Sequence, residues 1–363
     1  MKPEAIELDL SHKQFLTIDK DYERAAAAVD LMYVRDNVPG ISRSRGKNGF
    51  IYHYRRSRIT DSEVLNRIKK LAIPPAWQKV WICNHPNGHI QATGIDIRDR
   101  KQYRYHTLWN KVRSETKFHR LYEFGGALPV LRMKLEKDIS IRNLCERKVL
   151  AAVILLMERT YIRIGSYGYE KMNGSYGLTT LKDKHVMINS GEMKFSFKGK
   201  KGVFHDITLK NKKLAKVVKE CRDIPGKELF QYYAEDGTRR SIDSGRVNEY
   251  IKEASGMDFS AKDFRLWAGS LNILRSFKSM GQALTQTMCK QNILMALDHV
   301  SQKLGNTRTV CRKYYVHPGL IRLYEENNLE KYLKELDALE EPDHKSGLTN
   351  EEKILMKILK EFH

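Results

Sequence analysis

Apolar positions along this chain recur with two different periods. Short runs alternating at period two dominate up to His106, and stripes at period 3.6 dominate after it, which predicts a β-rich segment followed by a helical one. A helix-like stretch around Tyr22–Tyr33 precedes a basic, strand-like run from Phe50 to Ile59. Asp61 offers a cap for a helix through Val64, Leu65, Ile68 and Leu71, which Pro74-Pro75 ends because proline lacks the donor and clashes with the preceding turn. Val80–Cys83 and Ile90–Thr93 read as two short strands about an Asn87-Gly88 turn. In Asp99–His106 basic, amide and aromatic side chains alternate. An extended chain there puts Lys101, Tyr103 and Tyr105 on one face and Gln102 and Arg104 on the other.

From Leu108 to Lys117 the pattern turns polar and helical, and a domain boundary is placed after residue 112. Leu144 to Ile162 carries a long apolar stripe that ends at Tyr161-Ile162-Arg163-Ile164-Gly165, leaving Arg163 where a helix meets a glycine. Four short strands follow, Leu178–Leu181, His185–Asn189, Lys194–Phe197 and Phe204–Ile207, with Lys200 at a hairpin tip. That tip is no phosphate-cradling loop, which needs a Ser or Thr after the Lys and a second Gly before it. Helices resume over Asn211–Cys221, after Asp243/Ser244, from Ala261 to Met280 and from Gln291 to Lys303. The tail is acidic around Glu325–Asp343 and closes with a capping-box-like Leu348-Thr349-Asn350-Glu351-Glu352 before a last amphipathic helix.

Charge decides the class of partner. Sixty-five Lys and Arg against 44 Asp and Glu give net +21, so nucleic acid is the leading partner class, and the 18 tyrosines suit packing against sugars and bases. With 363 residues the chain exceeds the usual size of one domain. The opening Met1–Ile6 has no apolar run, and no stretch approaches the ~20 apolar residues of a membrane span, so a cytoplasmic protein is expected, nucleoid-associated if bacterial. Five scattered cysteines fit reduced thiols. The Cys83–His89 segment reads as a turn with no second ligand pair at zinc spacing, so no metal is expected.

The stretch Leu304–Pro318 holds the most suggestive chemistry. It sets tyrosine hydroxyls near a neutral amide donor, Asn306, among four basic side chains. A phenol has a pKa near 10 and attacks only where positive groups stabilise its anion and the charge developing on its target, as a phosphodiester site would. The alternative is an amphipathic helix whose Tyr314 and Tyr315 pack on a core while its Arg and Lys are solvated. Alone, these residues favour the second reading.

Taken in order, however, Arg163, a hairpin lysine, Lys262-Asp263-Phe264-Arg265, and Gly305-Asn306-Thr307 with Tyr315 nine residues after the Asn resemble the type IB DNA topoisomerases, most closely the short poxvirus-like and bacterial branch. Ile73-Pro74-Pro75-Ala76-Trp77 and Arg100–His106 match in the first part of the chain. The resemblance implies an α+β fold: a small β-rich N-terminal domain (1–112), a mostly α-helical catalytic domain with a short antiparallel sheet (113–318), and a C-terminal helical tail (319–363), forming a clamp around DNA. It implies that Tyr315 is the nucleophile, forming a 3′-phosphotyrosyl bond. Arg163 and Arg265 would contact the non-bridging phosphate oxygens, and Lys200 would protonate the leaving 5′-oxygen. Asn306 stands where poxviral and nuclear relatives carry His; it donates a neutral hydrogen bond but carries no proton. Lys262, Gln102, Tyr103, Tyr105 and Tyr169 match DNA-contacting positions, while Arg98-Asp99 departs from a usual small-Gly pair. A monomer acting without ATP, metal or other cofactor is implied. A tyrosine recombinase is the nearest rival, but recombinases carry His three residues before the second Arg, where this chain has Lys262, and lack the Gln-x-x-Tyr strand. A non-catalytic DNA-binding protein would leave the ordered Arg, Lys, Arg, Asn and Tyr set without a reason.

Overall fold

The computed structural model describes residues 8–47, 49–339 and 347–362, so Met1–Ile6 and the 340–343 end of the acidic stretch lie outside the described residues. The fold is α+β, in two compact units, Met1–Arg120 and Leu121–Phe362.

The first unit contains α1 (His12–Ile18), α2 (Tyr22–Ala27), β1 (Ile41–Gly46), β2 (Gly49–Tyr54), β3 (Ser57–Arg58), α3 (Ser62–Lys70), β4 (Gln78–Ile82), β5 (Ile90–Ile95), β6 (Lys101–Tyr105) and the start of α4 (Thr107–Ile139). Its strands form one six-stranded antiparallel sheet in the order β3-β2-β1-β4-β5-β6. Ile41, Val80, Ile82 and Ala92 from the sheet pack with Ile68 of α3, whose Asp61 cap accepts from the Glu63 and Val64 amides. Two elements are shorter than their patterns predict. The Tyr22–Tyr33 helix stops at Ala27, before Asp30 turns to φ 56°. The Phe50–Ile59 run is a hairpin rather than one strand, reversed at Arg55 with φ 55°.

The division between the units falls within α4, a 33-residue helix of which the sequence pattern shows only Leu108–Lys117. Gly125, Gly126 and Pro129 look like breakers, since Gly costs ~1 and Pro ~3 kcal/mol inside a helix. Burial of Leu121, Phe124, Leu128, Leu131, Leu135 and Ile139 along one stripe outweighs that cost, at ~1.5–3 kcal/mol for each large side chain. Gly125 is also a point of close approach, where a Cβ would meet the Trp267 ring at 2.6 Å.

The second unit continues with α5 (Glu146–Thr160), α6 (Tyr167–Asn173), β7 (Val186–Asn189), β8 (Glu192–Lys198), β9 (Phe204–Lys210), α7 (Lys212–Arg222), β10 (Gln231–Tyr233), β11 (Arg239–Ser241), α8 (Ser244–Ser255), α9 (Ala261–Met280), α10 (Gln286–Leu304), α11 (Arg308–Tyr314), α12 (Pro318–Glu325), α13 (Glu330–Ala338) and α14 (Asn350–Lys360). α5 and α9 are buried on every face over most of their length, as central helices must be. β7, β8 and β9 form a three-stranded antiparallel meander. The Leu178–Leu181 run is not a strand. Leu178 and Thr179 donate their amides to the carbonyls of Arg163 and Ile164, 2.9 and 2.7 Å away, which curls the run into a 3₁₀ turn over Leu178–Thr180.

At the far end Thr349 and Glu352 form a capping box that starts α14. Glu352 is 2% exposed, accepts from Trp267 Nε1 of α9 at 3.0 Å, and pairs with Arg132 of α4 at 2.7 Å. Phe362 lies 5.3 Å, centroid to centroid, from His317. No helix among the described residues is long and apolar enough to cross a membrane, and all five cysteines are free.

Candidate active site

Three chain reversals bring the predicted residues of the second unit together. α5 ends at Tyr161, whose left-handed backbone (φ 57°) turns the chain two residues before Arg163. α10 ends at Gly305, also left-handed at φ 57°, and Asn306 follows it. The turn between β8 and β9 carries Lys200, and it is tied to the Arg163 segment by the Tyr176 amide, which donates to the Lys198 carbonyl at 2.8 Å.

The two guanidiniums are anchored on neutral carbonyls. Arg163 Nη2 donates to Gly305 O at 3.1 Å and to the side-chain carbonyl of Asn306. Arg265, on α9, donates through Nη1 to Tyr161 O and through Nη2 to Leu304 O at 2.7 Å. Its Nε–H is buried with no hydrogen-bond partner among the described residues. Burial, and then the neighbouring charge of Arg265, lowers the Arg163 pKa to about 10; Arg265 is lowered by burial as well, while Tyr315 acts in the opposite direction. Two dehydrated cations facing only neutral acceptors are costly, and an anion that accepts from both reduces that cost.

Tyr315 sits at the C-terminal end of α11, with the Arg265 guanidinium 5.2 Å from its ring centre. Its neighbours hold it from both sides. The Tyr315 and Val316 amides both donate to Cys311 O at 3.0 Å, Val316 is buried, and the His317 amide donates to Ser270 Oγ at 3.0 Å. Tyr314 points outward, 45% exposed, while Tyr315 is half-buried against Gly269, so the two adjacent tyrosines have different surroundings.

A cavity of about 300 Å³ is lined by Arg163, Tyr169, Lys200, Lys262, Arg265 and Tyr315. Lys200 Nζ lies over the Tyr169 ring, 5.0 Å from its centre, and Lys262 opens onto the same space one turn before Arg265. Asn306 is not among its lining residues but contacts Arg163, which is. A larger cavity, about 350 Å³, reaches Tyr161 and is lined by Arg132, Glu158, Trp267 and Glu352. In its lining Arg132 pairs with both Glu158 and Glu352, and none of the predicted catalytic or DNA-binding residues lines it. Sequence reasoning missed one residue beside the site. His205 of β9 packs against Gly199 and Gly305, and burial, then Arg163 and Arg265, lowers its pKa to about 4. Its signal was the inward alternation His205, Ile207, Leu209 along β9.

In the first unit, Tyr103 and Tyr105 of β6 are exposed and stacked on each other, centroids 5.7 Å apart, with Lys101 Nζ 5.7 Å from the Tyr103 ring. Gln102, on the opposite face, donates to Asp96 Oδ2 at 3.0 Å. Asp96 also receives Arg100, which holds its carboxyl at about 2, and accepts from the Arg98 amide. Asp99 takes φ 55° in this turn, the backbone region glycine favours, so the departure from a small-Gly pair leaves the turn intact.

Residues 106–341 match the family described as eukaryotic DNA topoisomerase I, catalytic core, and residues 49–96 match bacterial DNA topoisomerase IB, N-terminal domain. DNA topoisomerase 1B of Acanthamoeba polyphaga mimivirus is 32% identical over 299 residues, covering 80% of this chain and 89% of the relative. DNA topoisomerase 1B of Vaccinia virus (strain Copenhagen) is 23% identical over 240 residues, 65% of this chain and 72% of the relative. DNA topoisomerase 1 of Rabbit fibroma virus (strain Kasza) is 21% identical over 230 residues, 61% and 68% respectively.

Proposed function

This chain belongs to the type IB DNA topoisomerase family and is a DNA topoisomerase, and we propose that it relaxes supercoiled duplex DNA through a transient 3′-phosphotyrosyl bond to Tyr315, without ATP or metal. The observation that carries the mechanism is the shared cavity, in which Tyr315, two guanidiniums and two lysines face a common space.

In the proposed reaction Tyr315 Oη bonds to the scissile phosphorus, its proton passes to solvent, and the bond to the 5′-oxygen breaks. Lys200 gives that oxygen a proton and takes it back on religation. Arg163 and Arg265 donate to the non-bridging oxygens, whose negative charge grows in the transition state; fixed guanidiniums offset it without reorganising. Asn306 orients Arg163 and adds a neutral amide donor. Lys262 and Tyr169 hold flanking DNA, and Gln102, Tyr103 and Tyr105 contact it from the first unit. Religation needs no nucleotide, because the phosphotyrosyl bond keeps the free energy of the broken phosphodiester.

Relaxation of positively and negatively supercoiled plasmid in EDTA without ATP tests the reading, together with trapping of protein on the 3′ end of nicked DNA. Both supercoil signs should relax. A strict need for ATP, or recombinant products in place of relaxed circles, would refute it.

A further inference from the structure

We propose that His205 is a positioning residue for strand cleavage, a wedge that sets the Lys200 turn against the Gly305–Asn306 turn. The inference rests on the reading of Lys200 as the proton donor.

β9 turns His205 inward, where its ring stacks on Phe197 with centroids 5.0 Å apart and planes 19° from parallel. Two glycines admit its edge. A Cβ on Gly199 would come within 2.6 Å of ring atoms Cδ2 and Nε2, and one on Gly305 within 2.5 Å of Cε1. Gly199 immediately precedes Lys200 and Gly305 immediately precedes Asn306, so one imidazole touches the backbone of both turns. Apart from this wedge, the lysine turn is held from outside by the Tyr176 amide, which donates to Lys198 O at 2.8 Å. Its internal bonds are Gly199 N to Val203 O at 2.7 Å and Gly202 N to Gly199 O at 3.1 Å, and Lys201 within it is left-handed at φ 62°. With its pKa lowered to about 4, the ring is uncharged at neutral pH and adds no repulsion beside Arg163 and Arg265. An uncharged, flat, rigid side chain is what this gap requires. A shorter one lets the lysine turn drift, and a cation would push the guanidiniums apart.

Single-turnover cleavage by wild type, Lys200→Ala, His205→Ala and the double variant, on an oxygen-bridged substrate and on one with sulfur at the bridging 5′ position, separates the possibilities. A thiolate leaves without a proton, so sulfur removes the need for Lys200. His205→Ala should cleave the oxygen substrate roughly 10–10²-fold more slowly, the scale of an ångström of misplacement. It should cleave the sulfur substrate near the wild-type rate, and on oxygen the double variant should be no slower than Lys200→Ala alone. Gly199→Ala, whose Cβ displaces the ring without removing it, carries the same expectation if His205→Ala does not fold. Equal slowing on both substrates, or additive loss in the double variant, overturns the inference while Lys200 stands. Failure of Lys200→Ala to recover on sulfur overturns the proton-donor reading and the inference with it.

Discussion

Arg163 and Asn306 are locked together, the guanidinium donating through Nη2 to the Asn306 side-chain carbonyl and to the Gly305 carbonyl beside it. The contact fixes which way the amide faces, with its carbonyl toward Arg163 and its NH₂ 3.5 Å from the Leu304 carbonyl.

Asn306→Asp keeps the acceptor for Arg163 but replaces the amide donor with a negative charge. Cleavage should fall by about 10²–10³-fold, the effect of losing one donor to a developing oxyanion. Asn306→His, which keeps a neutral donor, should retain more activity than Asn306→Ala. Single-turnover rates decide, and an Asp variant as fast as wild type would remove the donor role.

Tyr315→Phe deletes one oxygen and should abolish the covalent adduct while leaving DNA affinity nearly unchanged, since phosphate contacts elsewhere supply most of the binding. Tyr314→Phe should still form it, because Tyr314 faces outward. The adduct is read as a protein–DNA band on a denaturing gel. The opposite pattern would move the nucleophile by one residue.

Gly269→Ala tests how tightly the tyrosine segment is seated against α9. The new Cβ would lie 2.4 Å from Tyr315 O and 2.9 Å from Tyr315 Cβ, so the backbone of the nucleophile has to move. A shift of this kind should lower the cleavage rate by roughly 10²-fold at unchanged DNA affinity. Loss of affinity with cleavage intact at saturating DNA would contradict it.

Glu352→Ala removes the carboxylate that holds Arg132 and Trp267, leaving a buried guanidinium partly unpaired, and should destabilise the protein by about 3–5 kcal/mol. Burial opposes ionisation of Glu352, but the hydrogen bond and charge of Arg132 outweigh it and lower its pKa below 4.5. Its contribution is therefore fully present above the unfolded-state value and is lost as pH falls through the lower folded value. Urea midpoints measured from neutral pH downward should converge for wild type and variant at acid pH. A constant gap would show that packing, not the ion pair, carries the effect.

Regular periods made much of this fold legible, and local exceptions hid the rest. β4, β5 and α9 follow their patterns closely because their burial is one-sided or complete. α4 was hidden beyond Lys117 by Gly125, Gly126 and Pro129, whose local cost the buried stripe outweighs. The β10–β11 hairpin was missed because Arg239–Ser241 is exposed throughout and has no period to read. The residues expected from resemblance alone, Arg163, Lys200, Arg265 and Tyr315, line one cavity although they are far apart in the chain. What no pattern shows is the wedge between two turns, since contact between His205 and Gly305 exists only after the hairpin and the end of α10 have met.

The anchoring of Arg163 and Arg265 on the carbonyls of Tyr161, Leu304 and Gly305 has a consequence for sequence drift. A main-chain carbonyl is supplied by every amino acid, so substitution at Tyr161 or Leu304 leaves the acceptor in place as long as the chain keeps its path. Much of the architecture that aims the two guanidiniums is thereby insulated from point mutation. A chain of this design can exchange most of its side chains and still hold the same pair of charges, so the distance to a relative in percent identity is a poor gauge of the distance between their reaction centres.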